Sequence, residues 1–255
     1  MKVLVITQAR YGSTRLPAKV LKEVNGETLL ELHLRRILLA KNITKLKVAT
    51  TTEEGADKIV EIAQKIGVET YKGSIDDVLE RFYYTALPEN PDYVVRVTSD
   101  CPLIDPTEID KIIDICVSGG YDYVSNTLFP TFPDGVDCEC FKFSVLKKAH
   151  NEAKLQSERE HVTPYIKNNS SVKGGTLFKS FNVVNNEDCS SFRITVDTQE
   201  DFDLIKILIE ECGTDKTWSD YIRYLIQHQE IFNLNSMHAR DEGYAKSISN
   251  DKIVK

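Results

Sequence analysis

The sequence predicts an α/β fold built on a doubly wound, mostly parallel sheet. Over the first 120 residues, apolar runs rich in valine and isoleucine alternate with segments of helical periodicity. Such runs are typical of parallel strands that are buried on both faces. Gly67 and Pro106 stand where one helix should end and another should begin. This strand–helix order places helices on both faces of the sheet.

The elements of the first half follow in a regular order. The predicted strands are residues 2–7, 45–51, 68–71 and 93–98. The predicted helices are residues 28–40, 54–66, 76–86 and 106–117. Within the second helix, Ile59, Ile62 and Ile66 recur at the spacing of one apolar helix face.

The regular alternation stops after Gly119 and Gly120, and residues 121–143 combine short strands with a loop rich in proline and glycine. Further helices are predicted at 144–153, 158–167, 201–212 and 218–229, and strands at 176–184 and 192–195. We predict one domain over residues 1–236, with a small inserted subdomain at about 121–185 that covers a site or forms a dimer contact. Residues 237–255 are polar and weakly patterned, which predicts a loose tail.

Composition excludes several classes of function. A net charge of −7 disfavours a nucleic-acid-binding surface. No apolar run approaches the ~20 residues that span a bilayer, and the first run, residues 3–6, is too short for a signal peptide. We therefore expect a cytoplasmic protein with no membrane partner. The six cysteines form no CxxC pair and no histidine has zinc-finger spacing, so free thiols are predicted.

The loop after the first strand concentrates positive charge. It carries Arg10, Arg15 and Lys19, which suit the phosphates of a nucleoside triphosphate. The backbone amides predicted to donate to phosphate oxygens are those of Gly12, Ser13 and Thr14. The spacing matches neither the Walker pattern nor GxGxxG. A basic surface loop without a ligand is the alternative.

Two aspartates follow predicted strands and are expected at the same sheet edge. Asp100 comes directly after strand 93–98, and Asp197 ends the short strand 192–195. Ligands of a doubly wound sheet bind at the carboxyl ends of its strands, and carboxylates there suit Mg²⁺. The alternatives are that Asp100 caps a turn and that Asp197 is a helix N-cap.

Charged residues of the second half are candidates for binding a second substrate. Asp134, Asp137 and Glu139 alternate along a predicted strand, so that Asp137 and Glu139 share one face and suit the hydroxyls of a sugar or polyol. A solvated strand face is the alternative. On a short helix, Arg159 suits an acceptor carboxylate or phosphate, and His161 suits orienting the acceptor hydroxyl or acting as a base. A purely structural histidine is the alternative.

Several motifs together resemble a known family. The first is Gln8-Ala-Arg-x-Gly-Ser-Thr-Arg-Leu-Pro-x-Lys19. The others, in chain order, begin at Asp77 (DVLERFY), Arg96 (RVTSDCPLIDP), Pro133 (PDGVDCE), Glu158 (EREHVTPY) and Thr195 (TVDTQED). They resemble the cytidylyltransferases that make CMP-activated acidic sugars, such as the 3-deoxy-manno-octulosonate and acylneuraminate enzymes. The resemblance is greatest to the branch associated with spore coat polysaccharide biosynthesis.

This resemblance implies a Rossmann-like fold of the nucleotide-diphospho-sugar transferase type and a homodimer. It implies transfer of CMP from CTP to a sugar acid or a sugar or alditol phosphate, with release of pyrophosphate. The residues it implicates are Arg10, Arg15 and Lys19 for the triphosphate, Asp100 and Asp197 for Mg²⁺, and the backbone around Gln8 and Ala9 for cytosine. Of these, Arg15, Lys19 and Asp100 are the predicted catalytic residues.

Two other classes of function are considered. A nucleotide-sugar-dependent glycosyltransferase of the same fold usually carries a DxD motif after a strand, whereas this chain has Ser99-Asp100-Cys101. A non-catalytic nucleotide-binding subunit has little need for two metal carboxylates. Both alternatives are therefore disfavoured relative to nucleotidyl transfer.

Overall fold

The computed structural model describes residues 1–13, 15–240 and 242–255, so the predicted amide of Thr14 lies outside the described residues. The strands are β1 (Val3–Gln8), β2 (Glu23–Val24), β3 (Glu27–Thr28), β4 (Lys45–Thr51), β5 (Glu69–Gly73), β6 (Tyr93–Thr98), β7 (Tyr123–Ser125), β8 (Glu139–Lys142) and β9 (Ser180–Asn182). The helices are α1 (Leu29–Ile37), α2 (Ala56–Lys65), α3 (Val78–Ala86), α4 (Pro106–Ser118), α5 (Phe143–Glu152), α6 (Gln156–His161), α7 (Pro164–Asn168), α8 (Gln199–Cys212), α9 (Trp218–Gln227), α10 (Gln229–Phe232) and α11 (Glu242–Ser249).

Seven strands form one sheet in the order β5-β4-β1-β6-β8-β7-β9, while β2 and β3 pair separately. The neighbours β5, β4, β1 and β6 run parallel, β8 runs antiparallel to both β6 and β7, and β9 is parallel to β7. The predicted α/β class with a mostly parallel sheet is confirmed. The four strands and four helices predicted for the first half are present, with ends shifted by a few residues.

Helices cover both faces of the sheet because successive strand side chains point to opposite faces. Val5 of β1 packs into a core that includes Leu34 of α1 and Leu204 of α8. Leu4 of β1 packs into the opposite core, which includes Phe82 of α3. The carboxyl ends of the parallel strands meet at one edge between these layers.

The middle of the chain differs from the prediction of an inserted subdomain. Residues 121–185 supply β7, β8 and β9 to the main sheet itself. The predicted strand 176–184 is shortened to β9, and the predicted strand 192–195 is only a bridge between Asp134 and Arg193. Helical residues 158–167 divide into α6 and α7 because Val162 has a positive φ of 71° and Pro164 begins a new helix.

The segment after Ser236 is not the loose tail that its polar sequence predicts. It contains α11, and its last residues return to α6. The carboxylate of Asp251 accepts hydrogen bonds from the amide and the hydroxyl of Ser157, at 3.0 and 2.6 Å. Individual polar contacts of this kind leave no hydrophobic periodicity in a sequence, which is why the pattern did not reveal them.

All six cysteines are free thiols, as predicted. Within residues 1–13, 15–240 and 242–255, every helix is too short or too polar to cross a membrane.

Candidate functional site

The loop after β1 folds back so that its last cation reaches the sheet edge. The amide of Ala18 donates to the carbonyl of Tyr11 at 3.1 Å, and Ala18 takes a positive φ of 52°. The buried side chain of Leu16 anchors the same turn. Lys19 follows at the start of a 3-10 turn, which directs its side chain toward the carboxyl ends of the strands.

The ammonium group of Lys19 lies between the two predicted metal-binding aspartates. Its Nζ is 3.1 Å from Asp100 Oδ2 and 2.7 Å from Asp197 Oδ1. Burial alone would lower the pKa of Lys19, but the two carboxylates outweigh it and raise the pKa. Burial would likewise raise the pKa of Asp100, and the Lys19 charge reverses this and lowers it. Lys19 and Asp100 therefore both carry their charges at neutral pH.

Backbone hydrogen bonds hold the two aspartates together. The carbonyl of Asp100 accepts from the amide of Val196 at 2.7 Å and from the hydroxyl of Thr195 at 3.0 Å. These bonds fasten residues 195–196 against the end of β6, so Asp197 emerges beside Asp100. The sequence places the two aspartates 97 positions apart, and this pairing is what unites them.

Neither aspartate caps a helix. The N-cap of α8 is Thr198, whose hydroxyl accepts from the amide of Asp201. The N-cap of α4 is Asp105, which accepts from the amide of Thr107. Asp100 and Asp197 are thus left with their carboxylates directed at Lys19.

Two arginines complete the charge distribution around Asp197. Arg15 Nη2 lies 2.8 Å from Asp197 Oδ2, while Arg15 Nη1 contacts Glu242 of α11 at 3.0 Å. Arg193 Nη2 lies 3.1 Å from the same Asp197 oxygen. Arg193 is buried and also pairs with Asp201, so it supports Asp197 from within the protein. Arg15 is 40% exposed and remains accessible to a ligand.

A buried histidine braces the chain after Asp100. His33 of α1 bonds through Nδ1 to the carbonyl of Cys101 at 2.8 Å and through Nε2 to the hydroxyl of Thr7 at 2.9 Å. A carbonyl only accepts, so Nδ1 donates and Nε2 accepts. Burial lowers the pKa of His33 to about 4, which keeps the ring neutral. No neighbouring residue in the sequence had indicated this role for His33.

The loop amides predicted to hold phosphate already have partners in the protein. Glu53 Oε1 accepts from the amides of Tyr11 and Gly12, at 2.8 and 3.1 Å. The Ser13 amide donates to the carbonyl of Tyr11. A Cβ at position 12 would lie 2.6 Å from Glu53 Oε2, so Gly12 permits the close approach of this carboxylate. The amides of Gly12 and Ser13 therefore do not form an open phosphate site here, contrary to expectation.

The residues predicted to face a base lie at the end of β1. The amide of Ala9 donates to the carbonyl of Ala49, so it is engaged in the sheet. Gln8 Oε1 is buried and has no hydrogen-bond partner among the described residues. Arg10 is exposed, and within the residues that the structure describes it forms no ion pair. Of the three predicted phosphate cations, Arg10 is therefore the one without an ion pair in the described part of the chain, although its charge helps to lower the pKa of Glu53.

Glu139, predicted to bind sugar hydroxyls, is instead enclosed in the protein. It accepts from Arg96 at 2.6 Å and from the hydroxyl of Tyr123 at 2.5 Å, and Lys167 lies 3.4 Å away. Burial would raise the pKa of Glu139, but Lys167 and Arg96 outweigh it and lower the pKa to about 2. It pairs with Arg96 in the interior and with the partly exposed Lys167, because β8 lies between β6 and β7 and not at a solvated face.

Asp134 and Asp137 are also paired with arginines. Asp134 binds Arg193 at 2.5 Å, and burial and the neighbouring Asp137 raise the pKa of Asp134. Asp137 binds Arg240, and it precedes β8, so it does not share a strand face with Glu139. The predicted common sugar-binding face is therefore not formed.

Arg159 and His161 lie apart from the aspartate pair. Arg159 is buried, binds Asp77 at 2.5 Å and donates to the carbonyls of His150 and Ala153. Its contacts tie α6 to the start of α3, so in this structure the guanidinium is engaged within the protein. His161 bonds through Nε2 to the hydroxyl of Ser247 at 2.9 Å. It therefore secures α11, and the structure does not bring it to Lys19.

Several residues that shape the site were not predicted from the sequence. For Arg193 a signal existed, because a charge next to a buried run indicates an internal pair. Arg96 gave the same signal, as a cation within the apolar strand β6. Glu53 left no signal, because its contacts with the β1 loop span 41 and 42 positions.

Asp100 and Asp197 have the donor chemistry that a divalent cation requires. Carboxylate oxygens are preferred ligands of Mg²⁺. Both carboxylates face one point, as their shared contact with Lys19 Nζ shows. The pair therefore fits Mg²⁺, and the phosphates of a nucleotide would supply further oxygen ligands.

An α/β sheet with cations and paired carboxylates at its carboxyl edge is typical of proteins that handle phosphorylated nucleotides. The family model described as cytidylyltransferase matches residues 4–239, and the chain belongs to this family.

Individual relatives agree with this assignment. The spore coat polysaccharide biosynthesis protein SpsF of Bacillus subtilis is 31% identical over 216 residues, covering 83% of this chain and 88% of that protein. The 8-amino-3,8-dideoxy-manno-octulosonate cytidylyltransferase of Shewanella sp. strain W3-18-1 is 32% identical over 117 residues, covering 45% and 47%. The solved structure of a cytidylyltransferase from Leptospira borgpetersenii superposes with a TM-score of 0.85 at 36% identity, covering 91% and 97%. The recognised family is thereby confirmed.

Proposed function

We propose that the protein is a Mg²⁺-dependent cytidylyltransferase that transfers CMP from CTP to a sugar acid or to a sugar or alditol phosphate. The observation that carries this proposal is the convergence of Asp100, Asp197 and Lys19, with Arg15 at the same point. A pair of carboxylates beside two cations suits a metal–triphosphate complex. Surface polysaccharide or glycan biosynthesis would use the activated product.

The chain would contribute position and charge to the reaction. An acceptor oxygen attacks the α-phosphorus of CTP in line, and pyrophosphate leaves. Arg15 and Lys19 would hold the phosphates of the leaving group and stabilise its growing negative charge. Asp100 and Asp197 would hold Mg²⁺, which would supply neutralisation of the phosphate charge and activation of the attacking acceptor oxygen. His33 and Arg193 would keep the two aspartates in place.

An anionic acceptor is supported by the charges of the second half. The carboxylates predicted to bind hydroxyls are all paired with cations. Lys167 remains 28% exposed, and its Nζ is also bonded to the hydroxyl of Thr127 at 3.0 Å. A partly exposed cation favours a carboxylate or phosphate. The acceptor named in the Shewanella relative is an octulosonate, which is a sugar acid.

Pyrophosphate release tests the proposal. The full chain with Mg²⁺ is supplied with each of the four nucleoside triphosphates and a panel of ulosonic acids, sugar phosphates and alditol phosphates. We expect pyrophosphate from CTP with one acceptor class. Arg15→Ala should reduce turnover by about 10²–10³-fold, because it removes a donor from the developing charge. Lys22→Ala is the matched control, since Lys22 on the same loop bonds to Gln199.

Other outcomes would identify the alternative classes. Consumption of a nucleotide sugar without pyrophosphate indicates a glycosyltransferase. CTP binding without turnover of any acceptor indicates a binding subunit. Unchanged turnover of Arg15→Ala at saturating CTP would remove Arg15 from the mechanism. The homodimer and the cytoplasmic location stay predictions.

A further inference from the structure

Lys19 occupies the point toward which both aspartates are directed. Its ammonium nitrogen is 2.7 Å from Asp197 Oδ1 and 3.1 Å from Asp100 Oδ2. The side chain is 13% exposed, so the contact is largely shielded from water. An ammonium group at this position supplies one positive charge to two carboxylates, which is the task expected of a divalent cation there.

A metal ion and this ammonium group cannot share the position. Magnesium binds carboxylate oxygens at about 2.0–2.1 Å, closer than the ammonium nitrogen lies to either oxygen. An ion held by the oxygens that contact Lys19 Nζ would therefore compete with this ammonium group for them. Two positive charges that share one pair of carboxylates also repel each other in a partly buried site.

The remaining environment also disfavours a free divalent cation. The second oxygen of Asp197 already contacts Arg15 and Arg193, at 2.8 and 3.1 Å. Among the residues that the structure describes, no three histidine, cysteine or acidic side chains are arranged to hold a metal. The two aspartates thus face three cations, and a metal needs additional oxygen ligands to compete.

We infer that Lys19 is a stand-in for the metal in the nucleotide-free protein, and that metal enters only when a triphosphate draws Lys19 away. The inference rests on the proposed function, since it takes the triphosphate as the second partner of Lys19. The flexible four-carbon stem of lysine permits this exchange of partners. Metal and nucleotide affinities are then coupled, and each must strengthen the other by the same factor.

Metal binding without turnover tests this inference. Mn²⁺ is titrated into the full chain with no acceptor, and free Mn²⁺ is measured by electron paramagnetic resonance, with and without CTP. We expect weak Mn²⁺ binding by the unaltered protein without CTP. Lys19→Met removes the competing charge and should lower the Mn²⁺ Kd by about tenfold or more, which corresponds to the loss of one strong charge contact. CTP should then strengthen Mn²⁺ binding less in this variant than in the unaltered protein.

Three controls separate charge from fold. Lys19→Arg keeps the positive charge and should show no gain. Lys22→Met removes a lysine from the same loop, away from the aspartates, and should behave as the unaltered protein. If Lys19→Met loses its cooperative thermal transition, Lys19→Gln provides a second neutral substitution for the same titration.

The inference is overturned if the unaltered protein binds Mn²⁺ without CTP as tightly as the neutral Lys19 variants do. Because these titrations involve no acceptor, their failure is distinct from failure of the proposed function. Pyrophosphate release with no gain in Mn²⁺ affinity would reject only the role of Lys19 as a stand-in. A gain in Mn²⁺ affinity with no pyrophosphate release would reject only the proposed reaction.

Discussion

Charged side chains are partly exposed at the carboxyl edge of the parallel strands and buried in the antiparallel part of the sheet. At the carboxyl edge of the parallel strands, Arg15, Lys19, Asp100 and Asp197 meet with side chains between 13 and 40% exposed. In the antiparallel part, the carboxylate of Glu139 is 2% exposed. Charges of the first kind can exchange partners with a ligand, whereas charges of the second kind hold the fold together.

This difference is set by position in the sheet. Residues that follow parallel strands leave the sheet at its edge and meet solvent or a ligand. Glu139 lies within a strand that has neighbours on both sides, so its charge must be neutralised by the protein. We therefore expect substitutions in the first group to change activity and substitutions in the second to change stability.

Asp100→Asn should have the largest effect, and this effect should be a loss of activity. Loss of one carboxylate from the metal pair is expected to lower the rate of pyrophosphate release at least about 10³-fold. The fold should persist, because the bonds to Val196 and Thr195 use the backbone carbonyl of Asp100. Initial rates over a range of Mg²⁺ concentrations, with thermal unfolding alongside, measure both. Asp114→Asn, at an exposed position of α4, is the control, and a normal rate for Asp100→Asn would exclude a ligand role.

Glu139→Gln should instead unfold the protein more easily. Removing this carboxylate leaves Arg96 and Lys167 without their shared partner in the interior. Breaking a buried ion pair in this way typically costs about 3–5 kcal/mol in free energy of unfolding. Urea unfolding measures the change. If the variant has unaltered stability but a raised KM for the acceptor, Glu139 binds the substrate, as the sequence predicted.

The free energy of unfolding should depend on acid pH because of the same buried residue, Glu139. The pKa of Glu139 is lowered to about 2 in the folded protein, from an ordinary value of 4.5. Its contribution to stability is therefore complete above pH 4.5 and is lost as pH falls toward 2, by about 3 kcal/mol in all. The difference in free energy of unfolding between the unaltered protein and Glu139→Gln should shrink over this pH range. A constant difference would contradict the assignment.

Arg159→Met separates a structural role from an acceptor role. The substitution removes the pair with Asp77 and two bonds to carbonyls, and should cost about 2 kcal/mol of stability. The acceptor KM should stay the same, because the guanidinium is enclosed. Thermal unfolding and acceptor titrations measure the two quantities separately. A raised KM with unchanged stability would support the acceptor role that the sequence predicted.

Glu242→Gln should have the smallest effect. Its ion pair with Arg15 is exposed on both sides, at 41 and 40%, so it contributes at most about 1 kcal/mol. Removing this competitor should tighten CTP binding by up to about fivefold, since among the described residues only Asp197 then competes with phosphate for Arg15. Isothermal titration with CTP measures the change. Weaker CTP binding would show that α11 supports the nucleotide site.

The parallel strands of the first half and the charged residues that follow them were predictable, because the signals for them are local in the sequence. A buried strand followed by cations, or by an aspartate, places those side chains at a sheet edge whatever the rest of the chain does. The ion pairs of Asp137, Glu139 and Arg159 were not predictable because their partners lie far away in the sequence. These partners are Arg240, Arg96 and Asp77, at 103, 43 and 82 positions respectively.

By itself the sequence determined the parallel sheet, the charged loop after β1 and the family, because periodicity and motif spacing act over short stretches of chain. Only the tertiary structure decided that Lys19 lies between the two aspartates and that Glu53 accepts hydrogen bonds from the loop amides. It also decided that α11 reaches Arg15 through Glu242. The physical reason is that each charge takes the nearest opposite charge in space, and the folded sheet sets which charges are near.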